Sequence, residues 1–131
     1  MSQFIGQLIL RALYPDEIKR LGREGTQLYE QVEDFGYQSN LMNGLIFIAP
    51  KGRITDLASI PRPVWSIIDP EDPIIMMPSV MHDARYGLHD CTKDQADAML
   101  REGMEVQGAG SIIRNIVFQA VQRFGGSHWK G

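Results

Sequence analysis

The pattern of apolar and polar positions changes character near the middle of the chain. Before it, apolar residues come in short runs or alternate with polar ones; after it, they recur at helical spacing. Residues 4–13 are a short apolar run that Gly6 interrupts and Pro15 closes, which favours a strand over a helix. Residues 15–25 carry Pro15, Gly22 and Gly25 among charges, and predict a loop with one helical turn over 16–21. Over 26–37, Leu28, Glu30 and Val32 alternate with Tyr29, Gln31 and Glu33, a period near two among strand-favouring residues. The run Leu45-Ile46-Phe47-Ile48-Ala49 predicts a second strand, joined to the first by a longish hairpin loop over 38–44.

Prolines at 61, 63, 70, 73 and 78 then divide the chain into short pieces, with a helical turn or two over 63–68 anchored by Trp65. Residues 69–73 read as an exposed acidic loop. A helix opens at Pro78 and ends at Gly87, placing His82 and Tyr86 one turn apart on one face. Thr92 and Gln95 have capping-box spacing for a second helix, whose stripe is Ala96, Met99, Leu100 and Met104. Ser111 caps a third, with Ile112, Ile113, Ile116, Val117, Ala120, Val121 and Phe124 on one face and Gly125-Gly126 as its stop.

The fold expected is α+β: a small N-terminal antiparallel sheet packed on three C-terminal helices in a single domain, 1–131. Residues 1–52 are mainly β, 53–78 a motif loop with short helical turns, and 79–131 mainly helical. Trp129 either docks the tail on the domain or belongs to a contact in a larger assembly.

Composition narrows the function classes. At 131 residues and 44% hydrophobic content, the chain can bury one modest core. A net charge of −3 with scattered Lys and Arg argues against nucleic acid as the main ligand. The lone Cys91 excludes an intramolecular disulfide and a cysteine-rich zinc site, and reads as a small hydrophobe. Residues 1–4 lack the positive leader of a secretory signal, and no apolar run approaches the ~18 residues of a membrane span. Synthesis in a reducing host cytoplasm is the expectation.

The chemistry concentrates in two places. Asp56 stands where a strand hands over to the loop Ala58-Ser59-Ile60-Pro61. There Asp56 and Ser59 either bond their own turn's amides or present a carboxylate to a cleft. His82-Asp83 suits a metal hydrolase, or a general base oriented by a carboxylate such as Asp56; equally, it suits a buried histidine satisfied by hydrogen bonds. Asp97, on the flank of its helix, either completes an Asp56/His82/Asp83/Asp97 set for a divalent cation or pairs with Arg101. Arg62, Arg85 and Tyr86 are placed to orient an anionic substrate, with Ser59, Arg62 and Tyr86 as binding candidates beside catalytic Asp56, His82 and Asp83. No nucleophile elbow, phosphate loop, dinucleotide fingerprint or His-Glu-x-x-His is present.

Residues Thr55-Asp56-Leu57-Ala58-Ser59-Ile60-Pro61-Arg62-Pro63 and Trp65, then Met81-His82-Asp83 with Tyr86, Ala96-Asp97 with Met104, Ala120-Val121 and Phe124-Gly125, carry a resemblance in order over roughly 4–129. The chain resembles the phage and prophage family known as domain of unknown function 1353. That resemblance implies a small viral or prophage protein and brings no established activity; Asp56, Ser59, His82, Asp83 and Asp97 fall on the family's polar motif. Ala84-Arg85-Tyr86 departs from the more apolar run expected there. Two functions follow as expectations. One is a virion accessory protein of the tail or baseplate region, with other virion proteins as partners and a buried Asp/His centre as a brace. The other is a small hydrolase acting on a cell-wall or other anionic substrate, with or without a divalent cation held by the four-residue set.

Overall fold

The computed structural model describes residues 1–57, 61–69 and 71–129, without the side chain of Arg62. Among them are six strands in two antiparallel three-stranded sheets, with one short helix inside the strand region and the remaining α-helices after it. The α+β class and the order of strands before helices match the expectation.

The run expected as one strand over 4–13 is two: β1 (Gln3–Ile5) and β2 (Leu10–Ala12). Gly6 sits between them at φ 81°, a left-handed conformation that side chains disfavour, and it turns the chain from one sheet into the other. The alternating stretch 26–37 divides in the same way, into β3 (Tyr29–Gln31) and β4 (Phe35–Ser39). β4 pairs with β1 and with β5 (Leu45–Ala49), while β3 pairs with β2 and with β6 (Ile54–Thr55). Where the chain changes sheets, the fully buried Gln31 amide donates to the carbonyls of Ala49 (2.6 Å) and Glu33 (2.8 Å). The expected hairpin is β4–β5, closed through a 3₁₀ turn and Asn43 at φ 59°.

Five helices complete the described chain: α1 (Pro15–Arg20), α2 (Pro73–Leu88), α3 (Lys93–Val106), α4 (Ser111–Phe124) and the single turn α5 (Gly126–Trp129). α2 begins one turn earlier than Pro78, because Asp72 accepts a hydrogen bond from the amide of Ile74 and Pro73 takes the first helical position. It continues one residue past Gly87 and ends at His89 in the left-handed region. The capping box of α3 forms as read, with the Gln95 amide 3.1 Å from Thr92 Oγ1 and the Thr92 amide 2.9 Å from Gln95 Oε1. On α4 the cap is Gly110 rather than Ser111.

Two cores meet at α2 and α3. Phe35, Tyr37, Phe47 and Ala49 on the inner face of the first sheet pack with Leu57 against Val80, Met81, Ala84 and Met99. Ile75, Leu100 and Met104 pack with Val117, Ala120 and Val121 and with Val64 and Ile68 of the proline-rich segment. A smaller cluster of Leu13, Ile18 and Leu28 seats α1. Residues of the α2 face between these cores therefore lose all contact with water. That is where His82 lies.

Candidate active site

The side chain of Asp97 is fully buried on α3, and four donors from three helices surround it. Its Oδ1 lies 2.7 Å from His82 Nε2 and accepts from the Tyr86 hydroxyl at 2.6 Å. Its Oδ2 accepts from Lys93 Nζ at 2.8 Å and from Gln122 Nε2 at 2.6 Å. The spacing explains the convergence: His82 and Tyr86 are one turn apart on α2, and Lys93 and Asp97 one turn apart on α3. Lys93 also donates to the carbonyl of Val121 at 3.1 Å, tying the C-terminal end of α4 to the same point.

Burial alone would raise the Asp97 carboxyl, but the bonds from His82, Lys93 and Tyr86 outweigh it and hold the group at about 2. Asp97 is thus a carboxylate, and an acceptor only. The hydrogen on His82 Nε2 must point at it, so in the neutral imidazole the lone pair resides on Nδ1. That Nδ1 is buried and has no hydrogen-bond partner among the described residues. Burial, then the bond to Asp97, push the Tyr86 phenol well above its usual range, so it remains a donor.

The C-terminus covers this centre. Trp129 stands edge-on to Tyr86 with ring centroids 5.1 Å apart and stacks on His89 at 4.1 Å, so the tail docks on the domain. Gly125 permits the approach: a Cβ there would lie 2.7 Å from the Tyr86 hydroxyl.

The other expected site residues are placed differently. Asp56, the carboxylate first expected beside His82, pairs with Arg23 at 3.1 Å; the partner of His82 is Asp97. Asp83 turns away from the centre to Arg53, 3.7 Å off, and burial raises its carboxyl against the lowering influence of Arg53 and His82. Tyr86 belongs to the Asp97 centre rather than to a substrate-facing surface. Asp97 pairs with Lys93, whereas Arg101 lies over the ring of Phe118 at 4.1 Å. Ser59 lies outside the described residues, as does the side chain of Arg62. Among the described residues no three of His, Cys, Asp and Glu are grouped to hold a metal ion.

Arg85 is the least expected placement. Its side chain is wholly buried, donates to the carbonyl of Ile48 and lies 5.2 Å from the Phe47 ring centroid, with Asp90 3.4 Å from Nε. Desolvation lowers its pKa, and among the described residues Nε and Nη1 have no hydrogen-bond partner. Sequence reading also passed over Lys93 and Gln122. The four-residue step from Lys93 to Asp97 was a visible signal, while Gln122 carried none.

Fold and centre together describe a small α+β protein with a histidine–carboxylate dyad shared between two packed helices. The family model described as Protein of unknown function (DUF1353) matches residues 29–121, well over half of the chain, and the chain belongs to that family. The matched span holds Asp56, His82, Asp83, Tyr86 and Asp97. No curated protein and no solved structure matches.

Proposed function

We propose that the protein is a hydrolase in which His82 Nδ1 is the general base. The observation that supports this is a histidine with one nitrogen fixed on a buried carboxylate and the other without a hydrogen-bond partner among the described residues. In that role Nδ1 takes a proton from water as the water oxygen attacks the substrate's acyl or phosphoryl centre. Asp97 stabilises the imidazolium, which then returns the proton to the leaving group as its bond to that centre breaks. His82 is only 2% exposed, so the cover over Nδ1 has to open for substrate to enter. The substrate class is a cell-wall or other anionic polymer.

The test is release of soluble fragments from purified cell wall, and of chromophore from activated ester and phosphodiester substrates. His82→Gln should lose at least about a hundredfold of any turnover, the usual contribution of a general base. Turnover unchanged in His82→Gln would end this reading.

A second reading, a virion accessory protein, is supported by the outer face of the first sheet. Ile5, Ile46 and Ile48 leave about half of their surface exposed there. It is tested by mass spectrometry of purified phage particles, which should contain the chain at a copy number matching particle symmetry.

A further inference from the structure

A cleft of about 400 Å³ opens between α3 and α4, bordered by Arg101, Glu102 and Glu105 of α3, by Arg114 and Asn115 of α4, and by Leu41. Its charged groups are held by different contacts. The Arg101 guanidinium lies over the Phe118 ring, 4.1 Å from its centroid. Arg114 Nη1 donates to the carbonyl of Ala109 at 2.8 Å, while Nη2 lies 4.0 Å from Glu105 Oε2, beyond hydrogen-bonding range. Glu102 is committed to donors from the first sheet and the turn after it. Its Oε1 accepts from the hydroxyls of Tyr37 at 2.5 Å and Ser39 at 2.8 Å, and its Oε2 from the Leu41 amide at 3.3 Å.

Two guanidinium groups therefore border one recess with donors to spare. Among the described residues Arg101 pairs with no carboxylate and the Asn115 amide has no hydrogen-bond partner. Glu105 is 68% exposed, so its approach to Arg114 is a weak surface contact. A ring under a guanidinium fixes its plane and leaves the in-plane N–H groups to a second partner. Leu41, 58% exposed, adds an apolar surface at the same recess.

We propose that this cleft binds the phosphate group of a small organic phosphate, with the organic part against Leu41. Two arginines and a side-chain amide, arriving from two helices, supply donors to the several oxygens of a phosphate; a planar carboxylate is matched by a single arginine fork. A volume of about 400 Å³ falls within the roughly 300–1,000 Å³ of small-molecule sites. Glu105 is the anion that such a ligand displaces from the side of Arg114. The cleft shares no residue with the His82 centre, and the inference stands whether or not that centre is catalytic.

The test titrates the full chain, labelled with nitrogen-15, and follows the Asn115 side-chain amide and the backbone amides of 98–105 by NMR. Phenyl phosphate should shift them saturably, while benzyl alcohol and benzylammonium should not. Arg101→Gln should weaken phenyl phosphate binding by at least about tenfold, the loss of one or more charge-assisted bonds. Arg114→Lys should weaken it by a smaller factor, since the charge stays and the fork goes. Glu105→Gln should tighten it by at least about twofold, because a carboxylate beside the bound anion is gone. The same spectra show whether each variant is folded. Benzoate binding as tightly as phenyl phosphate, benzyl alcohol giving the same shifts, a folded Arg101→Gln binding with undiminished affinity, or phenyl phosphate leaving these signals unmoved at millimolar concentration overturns the proposal.

Discussion

Asp97 and Asp56 are both carboxylates beside the same helix, and they occupy opposite regimes. Asp97 is sealed from water and accepts four hydrogen bonds from three helices; Asp56 sits at a corner, one third exposed, facing an exposed arginine. Burial makes the first set of interactions expensive to break, because two of the donors left behind, His82 and Tyr86, are themselves buried. Exposure makes the second nearly exchangeable with water. A motif's density of polar residues therefore indicates where chemistry gathers, and burial decides which carboxylate governs the histidine.

Asp97→Ala should produce the largest effect. It leaves the buried His82 and Tyr86 without their shared acceptor, and should cost about 3–5 kcal/mol in chemical denaturation. A loss below about 1 kcal/mol would erase the contrast with Asp56.

The next effect is on acid stability. The folded Asp97 value of about 2 lies below the ordinary 3.8, so its contribution is complete above about pH 4 and is lost as pH falls toward 2. The size should be about 2 kcal/mol, read from unfolding curves between those limits. Asp83 acts with the opposite sign: its raised value means that protonation relieves a burial cost as pH falls. Comparing Asp97→Asn with Asp83→Asn separates the two, since only the first should flatten the acid loss.

A smaller effect is expected at the cover. Trp129→Ala removes ring contacts to Tyr86 and His89 and should cost about 1–2 kcal/mol in thermal unfolding. It should also speed hydrogen exchange at the C-terminal end of α2. The smallest belongs to the corner: Arg23→Ala should change stability by less than about 1 kcal/mol, and high salt should abolish even that.

Much of this was legible along the chain. The apolar stripes of α3 and α4, the Thr92–Gln95 cap and the strand Leu45–Ala49 follow from periods and caps that local geometry imposes. The His82–Tyr86 face was equally visible, because a four-residue step is a property of the helix alone. The division of 4–13 and 26–37 between two sheets was not, since alternation records which face is buried and not which neighbour a strand joins. Arg85 was placed among the residues able to orient an anionic substrate because nothing in its neighbours along the chain shows that β5 would pack against its helix.

By itself, the sequence determined the class of fold, the helical faces and the identity of the polar residues able to act, for these depend on propensity and period. Only the tertiary structure decided that His82 meets Asp97 and that Asp56 meets Arg23. Those pairings depend on how α2 crosses α3 and where the corner after β6 falls, and such angles and offsets are set by the packing of whole cores, not by any short stretch of residues.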